Sequence, residues 1–263
     1  MSVIARFVMG VEWMRFAVSV VCLCVFATTA LADTGTLQMQ FLFEGSRPKM
    51  KPIRIPLQPR LPPPVVMDES LVVDSKTKGI RDVVVFLHTG RGGTKVDPPP
   101  ARRRLLQLSV NNMTLQPRVL LMRVGDRLSL ANLDRVEHQL SINFFRNPPF
   151  NTNIPPGQAR LVRVNEAEPA MIPVDSLTRP WMQAHVFATD HPFIAVSDEE
   201  GRIKIEGLPV GEQLHFRVIH PVLDFKDVEI AGTELSTNRR RFTLSLRPGI
   251  NDLGVTKVTH DGS

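Results

Sequence analysis

The residues best equipped for chemistry are His138 and three side chains that follow one another at intervals of three: Ser176, Arg179 and Met182. An imidazole and a thioether both donate lone pairs to a soft metal such as copper. A serine hydroxyl is not a thiolate, and a guanidinium has a fixed positive charge and no lone pair to donate. The set therefore joins two good copper ligands to two side chains that disfavour the metal.

The sequence around these residues gives little support for a catalytic site. Ser176 is not part of a Gly-x-Ser-x-Gly nucleophile motif, and the chain has no His-Glu-x-x-His zinc motif. The acidic run at 198–201 lacks the spacing of a twelve-residue calcium loop, so a hairpin turn explains it more simply. We therefore predict a protein that is not an enzyme.

Short β-strands must position these residues. The apolar side chains of Leu37, Met39 and Phe41 fall at a period of two, which is typical of a half-buried strand. Residues 83–87 form a continuous apolar run of the kind found in the core of a sandwich. Comparable runs, separated by turn signals, recur at 120–124, 128–131, 138–144, 160–164, 184–188, 193–196, 202–205, 214–219, 242–246 and 255–258. Many short strands without helical periodicity predict an all-β protein built as a Greek-key β-sandwich.

The N-terminal residues predict export. An apolar run at 16–28 is followed by the small-x-small sequence Ala30-Leu31-Ala32, so we predict a signal peptide at 1–32. The run is shorter than the ~20 residues that span a bilayer, which disfavours an uncleaved anchor. Both cysteines, Cys22 and Cys24, lie in this segment, so the mature protein has no disulfide and no thiolate ligand. We expect a periplasmic or extracellular protein without a transmembrane segment after cleavage.

The chain has a formal net charge of +6, with arginine triplets at 102–104 and 239–241. A basic excess suits an anionic polymer or a membrane surface, although solvated loops beside strands are the more frequent explanation. We expect no nucleic-acid partner, because the chain has no Tyr and no interleaving of aromatic and basic residues for base stacking. The candidate partners are an unidentified envelope protein or an anionic glycan.

Several motifs occur in an order that resembles a known family. Asn132, Asp134 and His138 follow a strand, a Gly-Asp turn and a second strand, and the loop at 147–151 comes next. Over residues 80–258 the chain resembles extracytoplasmic cupredoxin-like proteins of environmental bacteria, some of them called methylamine-utilisation-like. The resemblance implies a cupredoxin-like sandwich with additional N- and C-terminal strands.

In that family the second ligand group has the order Cys, two residues, His, two residues, Met, and an upstream histidine completes the copper site. The matching positions here are Ser176, Arg179 and Met182, with His138 upstream. The resemblance therefore implies vestigial copper-site positions that hold no metal and no other cofactor. The alternative cofactor is copper, bound by a rebuilt site of His138, Met182 and His185. If 184–188 is a strand, His185 can face away from His138.

A second resemblance covers the C-terminal part of the chain. Residues 202–211 read Arg-Ile-Lys-Ile-Glu-Gly-Leu-Pro-Val-Gly and resemble carboxypeptidase-regulatory-like β-sandwich modules. We therefore divide the mature chain into three parts. N-terminal strands with Pro-rich connections occupy 33–104, a cupredoxin-like core occupies 105–198, and a C-terminal β extension occupies 199–263.

These observations leave two functional hypotheses. The first is a non-catalytic, metal-free cupredoxin-like binding or scaffolding protein of the cell envelope. The second is a copper-binding or electron-transfer protein with altered ligands. Under the first hypothesis Trp181, the only Trp after residue 32, should anchor its loop in the core, and Arg179 should contact a carboxylate. The candidate ring neighbours are Phe144, Phe150 and Phe187, and the candidate carboxylates are those of Asp134, Glu137 and Asp175.

Overall fold

The computed structural model describes residues 34–55, 65–225, 229–230, 233–234 and 240–259. These residues all belong to one unit, Asp33–Ser263. Every regular element among them is a β-strand, which confirms the predicted all-β class. Accordingly, this part of the chain contains no helix that is long and apolar enough to cross a membrane. The predicted signal peptide, with both cysteines, lies outside the described residues.

The strands are numbered in chain order. They are β1 (Thr34–Phe43), β2 (Pro52–Ile53), β3 (Val66–Met67), β4 (Val84–Leu87), β5 (Leu105–Asn111), β6 (Thr114–Gln116), β7 (Val119–Arg123), β8 (Arg127–Asn132), β9 (His138–Ile142), β10 (Phe150–Ile154), β11 (Ala159–Arg163), β12 (Ile172–Ser176), β13 (Gln183–Thr189), β14 (Ile194–Val196), β15 (Arg202–Pro209), β16 (Gln213–Ile219), β17 (Glu229–Ile230), β18 (Thr233–Glu234), β19 (Arg241–Ser245) and β20 (Gly249–Val258).

Strands β5–β13 form two sheets that pack as the central sandwich, residues 105–189. One sheet has the order β11-β8-β5-β6, and the other has the order β10-β9-β12-β13-β7. The chain crosses repeatedly between the sheets, so neighbours within a sheet are often distant in sequence, as in a Greek key. The side chains enclosed between the sheets are mostly Leu, Val and Ile, among them Leu108, Leu128, Leu130, Leu140, Ile142, Val174 and Val186.

Seven strands from the two ends of the described chain form a second sandwich, the terminal sandwich. Its sheets have the orders β15-β1-β20 and β14-β4-β16-β19. The side chains of β1 alternate in burial, and the strand pairs antiparallel with β15 and parallel with β20. Strands from the segments 33–104 and 199–263 are therefore partners in the same sheets. The central sandwich is inserted in sequence between β4 and β14.

The two sandwiches meet at an apolar interface. Val84 and Phe86 of β4 lie on one side, and Val119 of β7 and Phe187 of β13 lie on the other. The intervening Val85 faces the core of the terminal sandwich instead. All four residues of β4 are buried, which explains why its sequence is continuously apolar and not alternating. The rings of Phe86 and Phe187 lie 4.8 Å apart at 89°, an edge-to-face contact.

The acidic run at 198–201 forms a tight turn. The Gly201 N–H donates to the main-chain oxygen of Asp198 at 3.1 Å, and the Arg202 N–H donates to the Asp198 carboxylate at 2.8 Å. Gly201 has a φ of 78°, and a Cβ atom there would lie 2.1 Å from the main-chain oxygen of Phe41. Only glycine therefore allows this turn to approach β1 so closely.

Candidate functional site

Strand pairing brings together three of the four positions that the resemblance matched to a copper site. His138 begins β9, Ser176 ends β12, and Met182 immediately precedes β13. β12 lies between β9 and β13 in the sheet, and Ser176 is directly opposite Leu140. Because Leu140 is only two residues from His138, the sheet brings the three positions close together.

The turn between β12 and β13 places Arg179 beside these residues. The Ser176 N–H donates to Met182 O at 3.2 Å, and the Met182 N–H donates to Arg179 O at 2.9 Å. The Arg179 N–H donates in turn to Ser176 O at 3.4 Å. A further bond of 3.3 Å, from Leu177 N–H to Gln139 O, joins the turn to β9. Main-chain hydrogen bonds therefore fix the turn.

His138 is fully buried, and its Nε2 lies 2.9 Å from Oδ2 of Asp134. Because a carboxylate accepts this bond, we assign the proton to Nε2, which leaves a lone pair on Nδ1. The Nδ1 atom is buried and has no hydrogen-bond partner among the described residues. Burial lowers the pKa of His138, the charge of Arg179 lowers it further, and Asp134 acts in the opposite direction. The ring is therefore neutral near pH 7.

Asp134 orients His138 and also closes the turn between β5 and β6. Its carboxylate accepts hydrogen bonds from Asn112 N at 2.7 Å and Met113 N at 3.0 Å. Both residues have a positive φ, 51° and 59°, which is uncommon for side chains other than glycine. Sequence analysis placed Asp134 in a motif but did not identify these contacts. The two donors lie 22 and 21 residues upstream, where no local pattern marks them.

Asn132 fixes the loop between β8 and β9. Its Nδ2 donates to Val136 O and Ile154 O, both at 2.7 Å. Its Oδ1 accepts a hydrogen bond of 2.9 Å from Asp134 N. The side chain is fully buried, so these bonds satisfy polar atoms that water cannot reach. Asn132 thereby sets the loop geometry that holds Asp134 against His138.

The two unusual side chains of the site differ in their contacts. Ser176 is buried, and its Oγ has no hydrogen-bond partner within the described ranges. Arg179 is half-buried, and its Nη1 donates to Glu137 O at 3.3 Å and to Thr178 Oγ1 at 3.1 Å. Burial lowers the pKa of Arg179, and the charge of Asp134 opposes that shift. An arginine pKa lies so high that the group stays cationic at neutral pH.

The predicted contact of Arg179 with a carboxylate is not formed, because among the described residues Arg179 has no ion pair or hydrogen bond to the carboxylates of Asp134, Glu137 or Asp175. Its contact with Glu137 uses the main-chain oxygen, whereas the Glu137 carboxylate accepts a hydrogen bond from Asn153 Nδ2 at 3.0 Å. Asp134 interacts with Arg179 through its charge. Asp175 is half-buried, its pKa is raised by burial, and it forms no ion pair with Arg179 in the described part of the chain. The guanidinium of Arg179 therefore contacts the loop between β8 and β9, which contains Glu137.

Met182 and Trp181 attach the turn to the core of the central sandwich. Met182 is fully buried in that core. Trp181 is half-buried and packs against the same core, as do Phe144 and Phe150. The indole Nε1–H donates to Met113 O at 3.2 Å, so Trp181 contacts the turn that Asp134 closes. Packing and hydrogen bonding therefore connect the two loops of the site.

His185 does not join this site. Its neighbour Val186 belongs to the central core, so the alternation of β13 directs His185 to the opposite face. Burial and the charge of Arg118 lower the pKa of His185 to about 4. Phe187, which faces the same way, packs in the interface between the sandwiches and not against the turn. The alternative copper set is therefore divided between two faces of one sheet, with His138 on the inner face.

The donors present do not fit the copper that the family resemblance implies. Nδ1 of His138 and the thioether of Met182 are suitable, but Ser176 replaces the thiolate and Arg179 replaces the second imidazole. A metal ion bound there would meet the guanidinium charge. The described residues also contain no group of three or more His, Cys, Asp or Glu side chains that could hold a metal.

Comparisons with known proteins give matches at the level of structure only. The sequence matches no known family model, and no curated protein matches it. A mutant of amicyanin in the Cu(I) state is 15% identical, with a TM-score of 0.29, over 32% of this chain and 82% of its own. A purple cupredoxin from Nitrosopumilus maritimus is 17% identical, with a TM-score of 0.28, over 32% of this chain and 99% of its own.

A Cu-containing nitrite reductase from Thermus scotoductus SA-01 is also similar. It is 15% identical, with a TM-score of 0.29, over 40% of this chain. The match spans only 25% of the reductase. In each of these three comparisons, less than half of this chain is covered.

Proposed function

We propose that this protein is a non-catalytic, metal-free, cupredoxin-like binding or scaffolding protein of the cell envelope. The observation that carries the proposal is the position of Arg179. Its guanidinium replaces an imidazole of the implied copper site and donates a hydrogen bond to Glu137 O, next to His138. The charge of Arg179 is also one of the causes that lower the pKa of His138.

Electrostatics disfavours a metal ion beside this arginine. Two unit charges at 4 Å repel by about 4 kcal/mol at an effective dielectric constant of 20, and Cu²⁺ carries twice that charge. A copper–thiolate bond could offset such a repulsion, but Ser176 offers only a hydroxyl. The site therefore combines a penalty for the metal with the loss of its strongest ligand.

Protein contacts supply the connection that a metal would otherwise make between the two loops. Arg179 bonds to Glu137 O, and Leu177 N–H bonds to Gln139 O. Both bonds run from the turn between β12 and β13 to the chain around His138. These contacts support a structural role for the site.

The residue types Ser, His and Asp also occur in hydrolase triads, but their arrangement here favours no catalysis. Oγ of Ser176 and Nδ1 of His138 are both enclosed by protein, and neither has a hydrogen-bond partner among the described residues. A nucleophile needs contact with its base and access to its substrate. The enclosure of Ser176 therefore supports a non-catalytic role.

Titration of the purified mature protein with Cu²⁺ tests the proposal. We expect no intense visible charge-transfer band and no retained copper after gel filtration. The double variant Ser176→Cys with Arg179→His should gain part of such a band if the loops keep their geometry. A strong blue-copper absorption of the unmodified protein at stoichiometric metal would overturn the proposal.

A second candidate function is copper binding with altered ligands. Two features favour it. The Asp134 carboxylate bonds to Nε2 of His138 and leaves the lone pair on Nδ1, an arrangement common for metal-bound histidines. Met182 is also buried nearby. Competition for Cu(I) against a colorimetric chelator tests it. Retention of one equivalent of Cu(I), lost in His138→Gln but kept in the control His215→Gln, would favour this alternative.

The envelope location rests on the predicted signal peptide at 1–32. Purification from the native envelope followed by N-terminal sequencing tests it, and we expect Asp33 as the first residue. Recovery of a chain that retains Met1 in the cytoplasmic fraction would contradict the location without affecting the copper experiment.

A further inference from the structure

A groove lies between an edge of the central sandwich and an edge of the terminal sandwich. We call it the edge groove; its volume is about 690 Å³. Its walls are β7, β14 and the segment 99–104. The apolar residues that line it include Pro99, Pro100, Leu121, Pro192, Ile194 and Val196, and the basic residues are Arg102, Arg104 and Arg123. The edge groove therefore has an apolar floor with a basic rim.

On the side of the terminal sandwich, the edge groove is bounded by the open edge of β14. Phe193 O accepts from Leu87 N at 2.9 Å, and Ser197 N donates to Val83 O at 2.8 Å. Main-chain groups alternate in direction along an antiparallel strand. Phe193 and Ser197 therefore face β4 with their main-chain groups, and so does Ala195 by the same alternation. Val196 directs its N–H and C=O away from β4, and these groups have no partner among the described residues.

On the side of the central sandwich, the edge groove is bounded by β7, whose outer edge is also unpaired. Arg118 O accepts from His185 N at 2.7 Å, and Val124 N donates to Thr189 O at 2.9 Å. The even-numbered residues of this segment therefore direct their main-chain groups to β13. Leu121 directs its main-chain groups to the open edge, where no described residue bonds to them. Two sheet edges with unpaired groups thus flank one groove.

The rim of the edge groove carries uncompensated positive charge. Arg104 forms an ion pair of 2.7 Å with Asp126 and is neutralised. Arg123 donates to two main-chain oxygens, at 2.9 and 3.1 Å, and has no carboxylate partner within the described residues. Arg102 is exposed and has no ion pair in the same part of the chain. Arg102 is therefore accessible to a ligand, and Arg123 adds a positive charge that no carboxylate neutralises.

We propose that the edge groove binds an extended, acidic segment of a partner polypeptide by β-strand addition. The main chain of the segment pairs with the open edge of β14 at Val196, its apolar side chains contact the floor, and its carboxylates meet Arg102 and Arg123. The proposal rests on the proposed function, because it names the class of partner that this envelope protein binds.

The chemistry of the groove selects this occupant. Unpaired sheet edges recognise a backbone that presents N–H and C=O groups at strand spacing, which a polypeptide does and a glycan does not. The apolar floor suits the alternate side chains of a strand. The uncompensated arginines favour carboxylates over basic side chains, because a like charge on the rim is repelled.

Fluorescence anisotropy with defined peptides tests the proposal. The probe is a labelled peptide of alternating Glu and Val, and its counterpart alternates Lys and Val. We expect saturable binding of the acidic peptide that weakens as salt is raised, and no saturable binding of the basic peptide. Equal binding of both peptides, or binding of neither, overturns the proposal.

Variants separate charge from main-chain pairing. Val196→Pro removes the outward N–H without touching the ladder to β4, and we expect it to weaken binding at least tenfold. Val196→Ala keeps that N–H and should change the affinity less than about threefold. Arg102→Glu should weaken binding about tenfold, whereas Arg163→Glu, an exposed arginine of β11, serves as the matched control and should leave it unchanged. All variants are first compared by circular dichroism and thermal unfolding.

A heparin fragment provides the remaining arm of the experiment. Binding of heparin that depends on Arg102 but not on the N–H of Val196, without binding of the acidic peptide, would assign the surface to an anionic glycan and overturn the peptide proposal. The copper titration on the same preparation keeps the two proposals apart. A colourless protein that binds no peptide refutes the groove alone, and a blue protein that binds the peptide refutes the metal-free function alone.

Discussion

Two regions of the molecule hold polar groups without hydrogen-bond partners among the described residues, and they differ in their exposure. At the site around His138, Nδ1 of His138 and Oγ of Ser176 are enclosed by protein. In the edge groove, the main-chain groups of Leu121 and Val196 face an open space of about 690 Å³. Enclosed groups influence only the residues around them, whereas exposed groups can bind another molecule. Under the two proposals above, the first region supports the fold and the second recognises a partner.

The largest effect is expected when the enclosed site loses its acceptor. Asp134→Ala leaves three donors, those of Asn112, Met113 and His138, without their carboxylate. The Asn112 N–H is exposed and can bond to water, whereas the other two donors are partly buried and cost about 1–3 kcal/mol each when unsatisfied. We therefore expect the free energy of unfolding to fall by roughly 4 kcal/mol in urea unfolding. The control Glu212→Ala removes an exposed carboxylate and should change it by less than about 0.5 kcal/mol. Equal effects of the two variants would show that the site does not support the fold.

Trp181 offers the next largest effect, because it joins the site to the core. Trp181→Ala should lower the free energy of unfolding by about 3 kcal/mol, and Trp181→Phe, which loses the hydrogen bond to Met113 and part of the ring, by about 1 kcal/mol. Trp181 is the only Trp after residue 32, so its fluorescence reports on this site. We expect blue-shifted emission that moves to the red on unfolding. Red native emission, with an unchanged melting temperature for Trp181→Ala, would indicate that Trp181 is exposed for partner binding and does not support the fold.

Acid should destabilise the central sandwich, through two histidines whose pKa is lowered by burial, before it affects the edge groove. The folded-state pKa of His185 is lowered from 6.5 to about 4, and the pKa of His138 is lowered too. The unfolded chain therefore binds more protons below pH 6.5, so the stability present above that pH is lost as the pH falls toward 4. We expect a loss of about 2 kcal/mol over this window, followed by urea unfolding at several pH values. His185→Gln should flatten the profile, and an unaltered slope in that variant would contradict the assignment.

The smallest effect is expected at the open edge. Val196→Pro should lower the free energy of unfolding by about 1 kcal/mol, because the N–H of Val196 lies outside the ladder and only part of its packing at the apolar interface is lost. Ala195→Pro is the matched control: Ala195 faces β4, and loss of its ladder bond should cost about 3 kcal/mol. Thermal and urea unfolding measure both. Similar costs for the two prolines would mean that the edge of β14 is already paired, and the contrast between the two regions would disappear.

Local patterns predicted the strands better than their partners. The period of two in β1 and the continuous apolar run of β4 each identify a strand, because burial on one face or on both leaves a mark in the sequence itself. The parallel pairing of β1 with β20 joins opposite ends of the described chain and leaves no such mark. For this reason the sequence divided 33–104 from 199–263, although their strands share two sheets.

At the candidate site, the resemblance supplied the positions and the structure supplied the supporting contacts. Ser176, Arg179 and Met182 were identified because their spacing is local. The predicted strand at 184–188 also indicated that His185 can face away from His138. The hydrogen bonds from Asn112 and Met113 to Asp134 were missed, because a contact between two loops depends on how the sheets place them and not on any spacing within either loop.

The insertion of the central sandwich between β4 and β14 also sets an order of assembly. A chain that emerges N-terminus first presents β1 and β4 early, but their sheet partners β14, β15, β16 and β20 only after residue 193. The nine strands of 105–189 arrive in one uninterrupted run and can fold among themselves. The outer face of β13 then offers Phe187 as a docking surface for Phe86 of β4. This connectivity predicts that the central sandwich forms first and that the long-range pairing of β1 with β20 comes last.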